Sequence, residues 1–369
     1  MAVAIVLLTA LCFWLAAYPI YRFPPATAFH GDSLYNPYRA ATGTWYKANL
    51  HAHSIVWGGT TNAKSRIEDV EAAYRSMGYD IIGVSNYQAI SRRDTNGKGM
   101  IPVYEHGYNI MKTHHLVIGA QGVSWLDYLL PQNVHQKQFV LNHLSTPAVA
   151  VSLNHPEFRH GFGRDDMESL TGMTLIEVLN HYRQSSGHWD AALSSGRRAW
   201  IVGDDDSHDV RNPDETGVCW TMVNARSLAT SDVVAALRGG RGYGVAGHGG
   251  KMAIRLKAVK TEGMMVTVAL DTTAERIEFI GQGGVVKAIC RNVREASYVL
   301  AVDDTYIRIR VTAARNTLYL NPVLRMDGSA APTASIDWLP SVLMWLTAAG
   351  AHLYFVRRVA RWGMRPVAA

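Results

Sequence analysis

Two uncharged runs of nineteen residues bracket this chain, Ala2 to Ile20 at one end and Trp338 to Val356 at the other. As helices, each spans roughly 28 Å, close to the thickness of a bilayer core. The second run has a start signal: Asp337 supplies a cap and Pro340 fits the first turn. Trp338, Trp345 and Tyr354 sit where interfacial anchors belong, and His352 reads as a lipid-tolerated residue near the end. The tail at 357–369 carries Arg357, Arg358, Arg361 and Arg365. The positive-inside tendency places that tail in the cytoplasm and the middle of the chain outside it, in the periplasm if the source is a bacterium. Residues 1–22 read as a retained anchor. The competing reading is a leader cleaved at Ala26-Thr27-Ala28, but no Lys or Arg precedes the apolar run, and Arg22, Pro24 and Pro25 separate it from that site. Cys12 lacks the small residue expected before a lipidated cysteine and reads as one more apolar side chain.

Charge follows from this topology. The chain has 36 Lys and Arg against 30 Asp and Glu, a net +6. Setting aside the four tail arginines leaves 32 against 30, so the body has no basic excess. No stripe of Lys and Arg with interleaved aromatics crosses the central region, which argues against a nucleic-acid partner. An apolar content of 48% excludes disorder as the dominant state. Three widely spaced cysteines, Cys12, Cys219 and Cys290, exclude a disulfide framework and a Cys-rich zinc module.

Residues 23–43, rich in Pro, Tyr and Ala, read as a linker. Over 44–250, short apolar runs alternate with helical stretches. The runs are Thr44–Leu50, Ile81–Val84, Leu116–Gly119, Ala148–Leu153, Thr174–Leu179 and Ala199–Val202. Helices are expected near Ile67–Met77, Asn133–His143, His188–Ser195 and Ser231–Arg238. This pattern predicts an α/β domain with parallel, covered strands. From Lys251 the period becomes two. Met252, Ile254, Leu256 and Ala258 alternate with Arg255 and Lys257, and Lys260–Gly263 reads as a turn before a strand at Met264–Leu270. With Tyr306–Val311, this predicts a small antiparallel β module over 251–327. A linker at 328–337 then leads to the helix at 338–356.

Fifteen histidines are the informative count, and several lie at strand edges. In Asn49-Leu50-His51-Ala52-His53-Ser54, the two imidazoles share one side of an extended chain and can reach one metal. Chance alone gives roughly 0.6 such His-x-His pairs in a chain of this composition, so one pair decides nothing. Asp206-Ser207-His208 follows Ala199–Val202, His155 follows Ala148–Leu153, Glu105 follows a short apolar stretch, and His114 and His115 open the run ending at Gly119. Each has a structural reading as a backbone-bonded core histidine or a helix-capping carboxylate. Their joint position at five strand edges points instead to a site, because strand ends on one face of an α/β fold converge. Imidazole with carboxylate suits zinc, manganese or iron.

These residues resemble the PHP superfamily, named for polymerase and histidinol phosphatase domains. Lys47-Ala48-Asn49-Leu50-His51-Ala52-His53-Ser54 is similar to its first motif and Gly78–Ser85 to its second strand. Pro102-x-x-Glu105 with His114 is similar to the third motif, and Asn154-His155-Pro156 to the fourth. Trp189-Asp190 followed by Gly203–His208 is similar to the last. Gly239–Tyr243 and the β module resemble the tail of carbaryl-hydrolase-like members. The resemblance covers about 44–250. It implies a distorted seven-stranded β/α barrel, followed here by the antiparallel module and flanked by the two membrane helices.

The resemblance also implies a metal cluster, one ion held by His51, His53, Glu105 and Asp206 and a second by Glu105, His114 and His155. His114 and His115 point to opposite faces, so only one is a ligand, and the spacing to Gly119 favours His114. Where the family has Asp-His after the second strand this chain has Asn86-Tyr87, and the first motif's further histidine is missing from Ile55–Gly59. Two divalent ions are therefore expected instead of three, with His208 a metal-adjacent acid/base or a weaker ligand. The expected activity is hydrolysis by a metal-bridging hydroxide, with Asp206 and His208 as catalytic residues. A phosphoester is the first substrate class and a carboxylic ester, carbamate or amide the second. Arg92, Arg93, Arg159 and Arg164 are candidates to bind an anionic group, against the plain reading of solvated loop charge. The competing function is an eroded domain serving as an accessory subunit of a membrane complex. Homo-oligomerisation stays open.

Overall fold

The computed structural model describes residues 2–91 and 98–363. Arg92, Arg93 and Arg365 lie outside the described residues. The chain begins with helix α1 (Ala2–Leu15), then the short strands β1 (Tyr21–Arg22) and β2 (Ser33–Tyr35). The alternating region follows: β3 (Thr44–Asn49), α2 (Ile67–Ser76), β4 (Ile81–Ile82), β5 (Val103–His106), β6 (His115–Ile118), α3 (Val134–Leu144), β7 (Ala150–Leu153), α4 (Arg164–Ser169), β8 (Leu175–Leu179), α5 (Ser186–Ser194) and β9 (Trp200–Gly203). Next come β10 (Cys219–Ala225), α6 (Thr230–Arg238) and β11 (Gly242–Ala246). The strand-rich part runs through β12 (Leu256–Glu262), β13 (Met265–Ile280), β14 (Val286–Val299), β15 (Tyr306–Ala313), β16 (Asn316–Leu320) and β17 (Val323–Met326). Strand β18 (Ser335–Ile336) and helix α7 (Trp338–Gly363) are the last elements among the described residues.

Local chemistry explains the helix ends. The Asn133 side chain accepts from the Gln136 N–H at 3.0 Å, and Gln136 Oε1 accepts from the Asn133 N–H at 3.1 Å, which starts α3 with a reciprocal cap. Gly78, at φ +77°, takes the left-handed turn that stops α2. Gly119, at φ +85°, closes β6 where a Cβ would come within 2.8 Å of Val234 Cγ2 on α6.

The strands form two main sheets. One has eleven strands, running β12-β13-β15-β16-β11-β10-β3-β4, with β14 on β13, β17 on β15, and β2 on β17. The other runs β5-β6-β7-β8-β9. Thus β12 to β17 share a sheet with β3, joined through the β16–β11 pairing of Tyr243 with Leu320. The expected turn at Lys260–Gly263 is shorter than read: β12 continues to Glu262, which pairs with Met265. The two sheets meet at two seams. At one, isolated parallel bridges link Ile82 to Met100 and Tyr87 to Glu105; at the other, Ala52 bridges Ser207.

The all-parallel expectation is corrected at β6. Strands β7, β8 and β9 are parallel neighbours, but β6 runs antiparallel to both β5 and β7. No helix separates β5 from β6, so residues 107–114 reverse the chain as a hairpin would. The start of β6 therefore lies beside the ends of β5 and β7.

The expectation of two membrane-spanning helices is also corrected. Helix α1 has 14 residues, a rise of roughly 21 Å, short of a bilayer core. It stops at Leu15 because Pro19 disfavours helical geometry for Tyr18. Among the described residues, one helix is long and apolar enough to cross a membrane, α7 over Trp338–Arg361. Helix α1 lies antiparallel against it. Trp345 Nε1 donates to the Tyr18 carbonyl at 2.8 Å, and His352 Nδ1 lies 3.0 Å from Thr9 Oγ1. Just beyond, β1 pairs with β18, and Arg22 meets Asp337 at 3.0 Å.

Candidate metal centre

Five strand edges deliver side chains to one buried place. His51 and His53 follow β3, two residues apart on an extended segment, so both rings face the same way. Glu105 sits on β5 directly opposite Leu116 of β6. His114, two residues before Leu116, therefore shares the Glu105 face. His115 pairs with His106 on the other face and packs edge-on against Phe162, away from the cluster. His155 follows β7 and Asp206 follows β9, and both take left-handed backbone angles, φ 30° and 53°. Strain of this kind in non-glycine residues is held only where surrounding contacts enforce it, typically at functional sites.

Glu105 is the hub. Its Oε1 lies 2.8 Å from His114 Nδ1, 3.1 Å from His155 Nε2 and 3.3 Å from His51 Nε2, while Oε2 lies 3.3 Å from His53 Nε2. Asp206 Oδ1 is 3.1 Å from both His51 Nε2 and His53 Nε2, and 3.9 Å from His208 Nδ1. Four overlapping triplets result: His51, His155 and Asp206; His51, His53 and Glu105; His53, Asp206 and His208; Glu105, His114 and His155. Within each triplet, one ligand atom per residue lies within 4.8 Å of the others. All seven side chains are buried.

Burial disfavours charge on Glu105, yet His114, His51 and His155 hold its carboxyl well below the usual carboxylate range. Asp206 is likewise held low against burial, chiefly by His51 and His53. Burial depresses the imidazoles of His51, His53 and His155, and the facing carboxylates more than reverse that. Burial and His53 push His208 down to about 4.

The residues fit a divalent cation. His51 Nε2 and Glu105 Oε2, both facing the cluster, are buried without a hydrogen-bond partner. Such groups normally find one, and a cation among carboxylates and neutral imidazoles satisfies several together. Glu177, on β8, was missed by sequence reasoning and orders the cluster from behind. Its Oε1 lies 2.8 Å from His51 Nδ1, and its Oε2 accepts from the His155 backbone N–H at 2.7 Å and from Asn180 Nδ2 at 3.1 Å. A donor role for Nδ1 leaves His51 Nε2 free as a ligand atom. The signal was one charged residue inside the otherwise apolar run Thr174–Leu179. The Asp204–Asp206 triplet divides its work. Asp204 accepts from the Leu50 N–H at 2.6 Å, and Asp205 accepts from the N–H groups of Gly217, Val218 and Cys219, so only Asp206 reaches the cluster.

The departures at 86 and 87 have their own contacts. Asn86 Oδ1 accepts from the Ser54 N–H at 2.7 Å, and its Nδ2 donates to Ser54 Oγ and Ser91 Oγ. The Tyr87 ring stacks 4.5 Å from His53, and its hydroxyl lies 3.2 Å from His208 Nε2. Lys112, also missed, places Nζ 5.6 Å above the Tyr87 ring. Arg159 stacks on Phe158, which meets the His155 ring edge-on. Arg164 opens α4 and packs over Gly187 of α5, and no contact with the cluster is described for it.

No family model and no curated protein matches this chain. Among solved structures, it is similar to a two-domain protein from Bacteroides vulgatus containing a predicted PHP-like metal-dependent phosphoesterase. Identity is 13%, 81% of this chain and 90% of that chain are covered, and the TM-score is 0.43.

Proposed function

We propose that this chain is a membrane-anchored, metal-dependent hydrolase of the PHP type, most suited to phosphoesters. The observation that carries the reading is the two-sided use of Glu105. Its Oε1 faces His51, His114 and His155 while Oε2 faces His53, the arrangement of a carboxylate shared between two ions. One ion, of zinc, manganese or iron, would be held by His51, His53, Glu105 and Asp206, and another by Glu105, His114 and His155. The contacts of Asn86 and Tyr87 favour two ions over three. Bound ions supply Lewis acidity toward a phosphoryl oxygen and make water at the centre acidic near neutral pH.

The chain's own groups do the rest. Glu177 fixes the His51 ring and the His155 backbone. With its Nδ1 2.9 Å from the Asp206 carbonyl, His208 is a donor there and presents Nε2 as the acceptor for the Tyr87 hydroxyl. Burial pushes the pKa of that phenol up. We assign the Tyr87–His208 pair to proton delivery toward the leaving oxygen, and Lys112 and Arg159 to the anionic group. Hydrolysis joins the oxygen of water to phosphorus, breaks the bond to the leaving oxygen, and passes a proton to that oxygen.

We also read β3 to β9 as a distorted seven-stranded barrel. The bridges at both seams support this, with Asp206 N–H donating to the His51 carbonyl at 2.8 Å across one of them. The body lies outside the cytoplasm and the basic tail inside, on the charge bias of that tail.

The test is metal analysis of the full chain purified in detergent, with aryl phosphate and ester substrates after manganese, iron or zinc loading. Bound metal and turnover, both abolished in the His51→Ala/His53→Ala variant, support the reading. Metal near zero and no turnover after loading sink it, and a stoichiometric membrane partner without metal establishes the accessory-subunit alternative.

A further inference from the structure

A strip of exposed apolar side chains runs from the metal centre to the membrane helices. Ile55, Trp57, Ile110, Trp125, Leu129 and Leu130 are between 44% and 59% exposed. Trp57 and Trp125 meet edge to face at 6.2 Å. The Ile110 N–H donates to the Leu129 carbonyl at 3.0 Å, which ties the 107–114 loop to the 123–130 segment.

The inner end of the strip touches the site. Trp57 Nε1 donates to the Tyr87 carbonyl at 2.8 Å, and the Tyr87 ring lies on His53. The outer end touches α1. The hydroxyl of Tyr128, next to Leu129, donates to the Ala17 carbonyl at 3.0 Å, and its ring lies 5.3 Å from Trp14 and 6.0 Å from Tyr18. Asn133 Nδ2 donates to the Tyr18 hydroxyl at 2.8 Å.

Only 6% of the apolar stretch of α7 is buried by the protein, and Leu7, Leu8, Leu339 and Leu346 are all more than half exposed. Apolar helices this uncovered by protein suit a lipid environment. Where α1 ends and α7 begins is then the bilayer surface, with Trp14, Tyr18, Trp338 and Trp345 at the depth such rings prefer. Tyr128 is held at that depth by its contacts with α1. Contiguous exposed apolar surface next to a membrane helix marks a membrane contact more readily than a solvated face.

We propose that the Trp57–Trp125–Leu130 strip docks on the bilayer surface beside α1 and α7, and that the substrate is a membrane-resident amphiphile presenting a phosphoester headgroup. This rests on the phosphoesterase reading for its chemistry, and on the strip alone for the docking. The apolar chain of the substrate stays in the bilayer while its headgroup enters past Tyr87, under Lys112. Water supplies the oxygen that bonds to phosphorus, the phosphorus–oxygen bond to the lipid breaks, and the freed hydroxyl of the amphiphile takes the proton.

Docking is tested without turnover. The full chain is reconstituted into phosphatidylcholine vesicles carrying brominated acyl chains, and tryptophan quenching is compared with the Trp125→Phe variant. The bromine-quenched fraction should fall in the variant. If the Trp125 emission is untouched by bromine yet quenched by aqueous acrylamide, the strip faces water and the proposal is overturned. If it is shielded from both, a second copy or another protein covers the strip, and the proposal is equally overturned. The substrate class is tested with metal-loaded chain on phosphatidic acid in phosphatidylcholine vesicles and on soluble p-nitrophenyl phosphate. Leu129→Ser/Leu130→Ser should lower the first rate at least about tenfold and leave the second within about twofold, since two leucines lose lipid burial. Parallel loss of both rates overturns the lipid assignment. Turnover of neither substrate with any of the three metals refutes the hydrolase reading, and quenching then still decides the docking.

Discussion

Glu177 shows how much of a metal centre lies behind its ligands. Set behind the candidate ligands, it holds the ring of His51 and the backbone of His155 together. Glu177→Ala should lower metal affinity about 10–100-fold, while Glu177→Gln, which keeps an acceptor oxygen, should lose less. Chelator competition on the purified chain measures both. Asp127 carries a separate prediction. Burial pushes its carboxyl up to about 6, against 3.8 for an ordinary aspartate. The folded chain thus binds this proton more tightly than the unfolded chain. The stabilisation is complete below about pH 4 and is lost as pH rises through 6. The carboxylate accepts from the Tyr108 N–H at 2.7 Å and from Gln132 Nε2, so Asn at this position keeps one acceptor and turns an N–H toward the Gln132 amide nitrogen. Asp127→Asn removes this titration, so the loss of stability between pH 4 and pH 7 should shrink by up to about 3 kcal/mol relative to the native protein, on top of a constant cost for the lost acceptor. Urea midpoints at the two pH values check it.

Elements are joined by a few buried polar contacts. Arg308 on β15 grips Asp190 on α5 through two 2.7 Å bonds, and its guanidinium lies 5.2 Å from the Trp189 ring. Arg308→Met strands a buried carboxylate and should cost about 3–5 kcal/mol, and adding Asp190→Leu should recover most of that. Denaturant midpoints at constant m-value test the pair. The same contact shows what the sequence could and could not display. Apolar runs and caps made β3, β7, β8, β9, α2, α3 and α6 readable, because burial on both faces leaves a compositional mark. Strand β14 left none, since Lys287, Arg291, Arg294 and Glu295 line a mostly exposed edge. Trp189-Asp190 was read as part of a motif, and nothing local says that its partner lies more than a hundred residues away. The direction of β6 was equally hidden. The spacing of His114 to Gly119 singled out that residue, but only the reversed strand explains why a histidine before a strand joins others that follow strands. Glu177 was lost in an apolar run that looked like core.

At the scale of the whole molecule, the proposed membrane anchoring rests on one helix. Helix α7 is long enough to cross and α1 is not, so the two deletions should differ. A chain lacking 338–363 should leave the carbonate-washed membrane fraction, whereas one lacking 2–15 should stay. Reporter fusions after residue 363 check the orientation, with a cytoplasmic signal expected from the arginine-rich end.

The pairing of Tyr21 with Ile336 has a further meaning. Everything between these residues leaves and returns at one point, so the body between α1 and α7 is topologically a closed ring with a stalk. A short linker from 336 back to 21 would complete the circle, and new ends opened near Val302, which is 98% exposed, would lie far along the chain from every metal-centre residue. A circular permutant of this kind would separate the body that holds the candidate metal centre from α1 and α7 without cutting through either.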